Sequence, residues 1–128
     1  MKTIINTTNA PAPIGPYNQA ILANGMLFIS GQVAIIPSTG EVEVSNIDAE
    51  AHQVMQNLQA ILVEAKLGFE NVVKTTILLS SMDLFARVNA VYGSYFTSEF
   101  PARETFAVKG LPKNVNIEIS MIAVVSFG

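Results

Sequence analysis

The chain has 128 residues, half of them apolar and only 13% charged, with a formal net charge of −3 and no cysteine. That length suits one domain spanning 1–128, and the lack of cysteine excludes disulfides, thiolate nucleophiles and cysteine metal sites. No apolar run reaches the roughly 18 residues of a membrane-spanning helix, and no Lys/Arg cluster offers the phosphate-neutralising patch of a nucleic-acid binder.

Taken in chain order, Lys2 to Ile5 is short and β-branched and reads as an edge strand, without the apolar core of a signal peptide, so a cytoplasmic protein is expected. Asn9 to Tyr17 holds three of the six prolines and reads as an irregular loop. Gln19 to Ala23 and Met26 to Gln32 flank Asn24-Gly25, a strong hairpin signal, and Ile36 to Gly40 reads as a turn. Ser45-x-x-Asp48 fits a helix start, followed by Ala51, Val54, Met55, Leu58, Ile61, Leu62 and Ala65 at helical spacing, with Gly68 suited to the position past the end. Val72 to Leu79 is a strand. Ser81 or Asp83 can cap a second helix with Leu84, Val88, Val91, Tyr92, Tyr95 and Phe96 on its apolar face. Thr105 to Val108 and Val115 to Val125 complete the order β-β-β-α-β-α-β-β, joined across Gly110-Leu111-Pro112. This predicts an α+β fold, a mixed sheet with both helices on one face. The shortage of charge, against about a quarter in ordinary domains, predicts that copies of the chain cover the other face.

The stretch "FPARETFAVKGLPKNVNIEIS", Phe100 to Ser120, holds the chemistry of most interest. Arg103, one of two arginines, and Glu118 both fall inside strands. In the last strand Val115, Ile117, Ile119, Met121 and Ala123 share one face, suited to the helices, and Glu118, Ser120, Ile122 and Val124 the other. A hairpin centred near Leu111 and Pro112 would set Thr105 opposite Glu118 and Arg103 opposite Ser120, making Arg103 and Glu118 diagonal neighbours on the face without helices. A guanidinium fork matches a carboxylate, and a nearby acid can orient water or act as general base. The pair would equally serve as a plain salt bridge between strands or subunits. Gly31 either admits a ligand to the backbone or marks a bulge. Tyr17 either caps a cleft or anchors packing. His52 reads as a surface histidine, and Glu41, Glu43 and Glu50 as a solvated acidic face. No phosphate loop or dinucleotide fingerprint occurs, so no cofactor is expected.

The stretches "APIGPYNQA", "FISGQ", "VVKTTILL", "FARVNAVY", "FPAR" and "LPKNVNIEISMIAV", in this order and spacing over the whole chain, closely resemble the reactive-intermediate deaminase family, also called the RidA/YjgF/YER057c/UK114 or L-PSP family. The resemblance implies a chorismate-mutase-like (YjgF/L-PSP-like) fold, a six-stranded sheet with two helices on one face, and a homotrimeric barrel with ligand clefts between subunits. It implies hydrolysis of 2-imino acids, such as 2-iminobutanoate and 2-iminopropanoate, to 2-oxo acids and ammonia, the imines coming from pyridoxal-phosphate enzymes. By the same resemblance Arg103 grips the substrate carboxylate and Glu118 orients the attacking water. Tyr17 matches the cleft tyrosine, Ser30 and Gly31 its floor, and Asn89 a polar wall. Thr105 stands where many members have cysteine, with its backbone N–H in reach of the carboxylate. Ser120 replaces an acid found in some members, and Glu104 places an acid beside the key arginine in sequence, pointing to the opposite face. Rival readings are a non-catalytic trimer binding small carboxylates, an RNA-cleaving translation inhibitor, and a holdase chaperone.

Overall fold

Six extended segments and two with helical spacing build one sheet carrying two helices. In the computed structural model, which describes residues 1–126, the elements are β1 (Thr3–Ile5), β2 (Ala20–Ala23), β3 (Met26–Gln32), α1 (Ile47–Glu64), β4 (Val72–Leu79), α2 (Phe85–Gly93), β5 (Ala102–Ala107) and β6 (Ile117–Val124). The sheet order is β1-β2-β3-β6-β4-β5. The hairpin at Asn24-Gly25 forms as the sequence predicts, both residues taking positive φ, which the tight turn matching strand twist requires.

Antiparallel β6 lies between β3 and β4, while β4 and β5 run parallel. Parallel neighbours need a crossover, and α2 supplies it. The β3-α1-β4 and β4-α2-β5 crossovers step the same way along the sheet, so a common hand places both helices on one face. There α1 packs on β3, β6 and α2. The core between them includes Leu27, Ile29, Val54, Leu58, Ile61, Leu62, Ile77, Leu79, Ile117, Ile119, Met121 and Ala123, all nearly inaccessible. The alternation read along β6 is therefore correct.

The β5–β6 hairpin is not. Residues 108–116 carry the chain past β4, through Lys113 and Asn114, both in the left-handed region. Thr105 lies beside Ile77, and Arg103 beside Thr75; Glu118 lies on the other side of β4, beside Leu78. The Gly110-Leu111-Pro112 signal marks a loop wide enough to step over a strand rather than a tight turn.

Two helix ends also differ from expectation. Asn46, not Ser45, caps α1, its Oδ1 accepting the Ala49 N–H at 2.8 Å. At the other end Lys66 takes φ 62°. Its N–H donates to the Val63 carbonyl at 2.9 Å and that of Leu67 to the Leu62 carbonyl at 2.8 Å. These are the two bonds of a Schellman closure, formed before Gly68 is reached.

Candidate functional site

The face of the sheet away from the helices carries the first cluster. β3 shifts register between Ile29 and Gln32, and this bulge brings Gly31 beneath Glu118. A Cβ on Gly31 would lie 2.5 Å from Oε2 of Glu118, so the glycine marks a bulge, as one of its two readings has it, and makes room there for the chain's own carboxylate. The Ser30 hydroxyl donates to the Asn18 carbonyl at 2.7 Å and its N–H to the Gln19 carbonyl at 2.9 Å. Tyr17, 46% exposed, folds over its own loop, its hydroxyl accepting the Ile14 N–H at 3.3 Å. Together Tyr17, Ser30, Gly31 and Glu118 line a cleft of about 380 Å³ with Pro11, Ile14 and Pro112 among its other walls. Glu118 has no hydrogen-bond or ion-pair partner among the described residues, and burial pushes its carboxyl above the ordinary glutamate value.

The second cluster sits on the helix side, at the β5 edge. Arg103 lies beside buried Thr75, its guanidinium 5.2 Å from the Tyr92 ring centroid and 5.6 Å from that of Phe85. Both distances lie within cation–π range, an attraction that holds a guanidinium without using its N–H donors. The Tyr92 hydroxyl donates to Thr75 Oγ1 at 2.9 Å; burial raises its pKa, with the Thr75 bond and the Arg103 charge opposing. Arg103, Asn89, Tyr92 and Phe100 line an open hollow, and no carboxylate of the described residues pairs with Arg103. Thr105, two residues on along the same face, buries its hydroxyl without a partner.

The candidate residues therefore fall into two groups. Tyr17, Ser30, Gly31 and Glu118 share the cleft, Asn89 and Arg103 share the hollow, and Thr105 stands beside the latter. Within one chain Arg103 and Glu118 are on opposite faces, which corrects the expected adjacency. Chemically, one group offers an acid poised to hold or shed a proton but no cation; the other offers a cation but no anion. Glu104 points away from Arg103 as predicted. It lies on the open face, accepting from Thr76 Oγ1 at 2.8 Å and pairing with Lys74 at 3.2 Å. The Thr76 hydroxyl first, then Lys74, lowers its pKa. His52 is exposed, its Nδ1 2.9 Å from the Tyr95 hydroxyl oxygen.

Three structural polar residues escaped the sequence reading. Glu50 is fully buried, not part of a solvated face. Its carboxylate accepts the N–H groups of Asn116 and Ile117 and the Asn116 side-chain amide at 2.8–3.0 Å, fixing the start of β6. Asn57 donates from inside α1 to the carbonyls of Val33 and Ile35. Glu50 lies four residues before Val54 and Asn57 three after it, so their place in the buried stripe was the available signal. Gln19, buried beneath the N-terminal loop, gave none.

Six strands in this order with two helices on one face define the L-PSP class of α+β folds. The model of that family, "Endoribonuclease L-PSP", matches residues 7–125, and the chain belongs to it, the family its motifs resemble. A RutC family protein, slr0709, of Synechocystis sp. is 53% identical, covering 94% of this chain and 95% of the relative. A mouse protein named 2-iminobutanoate/2-iminopropanoate deaminase is 44% identical, covering 97% of this chain and 92% of the relative. Among solved structures, E. coli TdcF with bound serine superposes with a TM-score of 0.93 at 37% identity, covering 97% of this chain and 99% of that one. No helix among the described residues is long and apolar enough to cross a membrane.

Proposed function

We propose that the protein is a cytoplasmic homotrimeric hydrolase acting on C=N bonds, converting 2-iminobutanoate, 2-iminopropanoate and related 2-imino acids to 2-oxo acids and ammonia. The carrying observation is the division of the site: among the described residues, an arginine without an anion on one face and a carboxylate without a cation on the other. A neighbour laying its open sheet face along the β5 edge would set its Glu118 cleft against this chain's Arg103. Arg103 and the Thr105 backbone N–H hold the substrate carboxylate; Tyr17, Ser30, Gly31 and Asn89 wall the cleft. Glu118 takes a proton from water as the oxygen adds to the imine carbon. The nitrogen, protonated in turn, leaves as ammonia when the carbinolamine collapses to the 2-oxo acid. Imines hydrolyse unaided, so placement of water and one proton relay need lower the barrier only modestly.

The name of the mouse relative supports this reading, and the serine held by E. coli TdcF is a small amino acid with the carboxylate that Arg103 would grip. That serine is not an imine, which favours one second reading, a trimer that binds small carboxylates without turning them over. The test generates 2-iminobutanoate with threonine dehydratase in the presence of semicarbazide. The protein is expected to divert imine from semicarbazone to free 2-oxobutanoate, and Arg103→Ala to abolish the effect. Loss of turnover in Glu118→Ala with 2-oxobutanoate binding retained supports the enzyme. Binding without turnover in the unaltered protein supports the second reading.

A further inference from the structure

One buried side chain outside the chemistry makes the hydrogen bonds that tie the cleft's loop wall to the rest of the chain. Gln19 is 1% exposed. Its Nε2 lies 3.0 Å from the Thr7 carbonyl, 3.3 Å from that of Ala10 and 2.7 Å from that of Pro11, and its Oε1 accepts the Thr7 N–H at 2.6 Å. Its own N–H donates to Asn6 Oδ1 at 2.9 Å and its carbonyl accepts from Ser30. The loop between β1 and β2 contains no helix or strand, so its backbone polar groups lack a ladder and depend on such bonds. That loop supplies Pro11, Ile14 and Tyr17 to the cleft. On its other side it borders a second open hollow that also reaches Gln19, lined by Thr7, Thr8, Ala10 and Pro37. A strap with space on both sides is held in place chiefly from within, by one amide.

We infer that Gln19 is a positioning residue for the cleft: by clamping the strap of residues 7–17 it sets how tightly a small carboxylate ligand is held, without touching the reacting atoms. The inference rests on the deaminase reading only for its kinetic readout. An amide is required because the clamp both donates to carbonyls and accepts from an N–H. A methionine fills the space but makes neither bond. A carboxylate keeps the acceptor and presents negative oxygen to three carbonyls, which is repulsive until it is protonated.

The experiment compares the intact protein with Gln19→Met and Gln19→Glu by imine hydrolysis, 2-oxobutanoate binding and backbone hydrogen exchange. Gln19→Met is expected to raise KM about tenfold with kcat within about twofold, as loss of a wall rather than of an acid or cation should. Exchange should accelerate in residues 7–17 and not in α1 or β6. In Gln19→Glu the ratio of its KM to that of the unaltered protein should fall as pH is lowered from about 8 to about 5, because protonation of the introduced carboxyl restores a donor. A general packing defect would show no such pH-dependent recovery. Faster strap exchange with unchanged KM, or kcat falling as much as kcat/KM, would overturn the inference and leave the deaminase reading intact. If the unaltered protein shows no turnover, the deaminase reading fails, and 2-oxobutanoate affinity decides: weakening in both variants, with recovery at low pH in Gln19→Glu, supports the clamp, and equal affinity in all three refutes it.

Discussion

At the scale of single residues, the proposed site depends on where one carboxylate sits and when it is charged. Burial raises the Glu118 pKa in the folded chain above its unfolded value. The folded state then holds the proton more tightly, so ionised Glu118 opposes folding above its folded pKa, and that cost vanishes below the unfolded value of roughly 4.3. In a subunit held apart from its neighbours, where no cation faces the carboxyl, Glu118→Gln should therefore be more stable than the unaltered protein near neutrality, with the two converging as pH falls to about 4. Urea midpoints across that range check this, and a gain that persists at low pH would contradict it. Gly31→Ala tests position rather than charge. The nearest atoms to the added methyl all belong to the Glu118 side chain, from its carboxylate back to Cγ at 3.0 Å, and that side chain can swing aside, so the fold should survive with little change in Tm. The displaced carboxylate should cost at least about tenfold in imine hydrolysis, since misplacement of about 1 Å can cost a hundredfold.

At the scale of elements, the features legible in the sequence were those written in local periodicity. The Asn24-Gly25 turn, the apolar stripe of α1 and the alternation of β6 each depend on neighbours within a few residues, and each appears where expected. What could not be read was pairing between distant segments. A turn signal at Gly110-Leu111-Pro112 fits a hairpin or a step over β4 equally well, and only the parallel β4–β5 pairing decides. That choice carried Arg103 to the helix face, so the candidate residues could be singled out from the sequence while their arrangement could not. Glu50 shows the reverse, a charge whose phase on α1 placed it inside. Removing it in Glu50→Ala strands three N–H donors at the start of β6 and should cost about 3 kcal/mol in urea unfolding. A loss below about 1 kcal/mol would mean water replaces the carboxylate. Lys66 closes α1 in the left-handed region at a cost a glycine does not incur. After the extra unfolded-state entropy of glycine, Lys66→Gly should stabilise by about 0.5–1 kcal/mol, measured the same way.

At the scale of the whole molecule, the open sheet face explains why so few residues are charged. Phe28 and Phe106 are 42% and 55% exposed there, with Ile21, Leu78 and Ile122 in the same layer by register. An apolar face of this kind suits burial against another subunit. The proposed trimer would cover it and, in the same step, bring Glu118 of one subunit to Arg103 of another. Assembly and chemistry then become one requirement, and the central claim is that each working site belongs to two chains. The most direct test mixes subunits of two inactive variants, Arg103→Ala and Glu118→Ala, by co-expression or by unfolding and refolding together. If each cleft takes its arginine and its acid from different subunits of a cyclic trimer, every mixed trimer holds one complete cleft. Random mixing at equal amounts makes about three quarters of trimers mixed, so imine hydrolysis should return to about a quarter of the unaltered protein's level. Activity that stays at the level of the separate variants, with mixed trimers shown to be present, would place both residues' work within one chain and contradict the composite site.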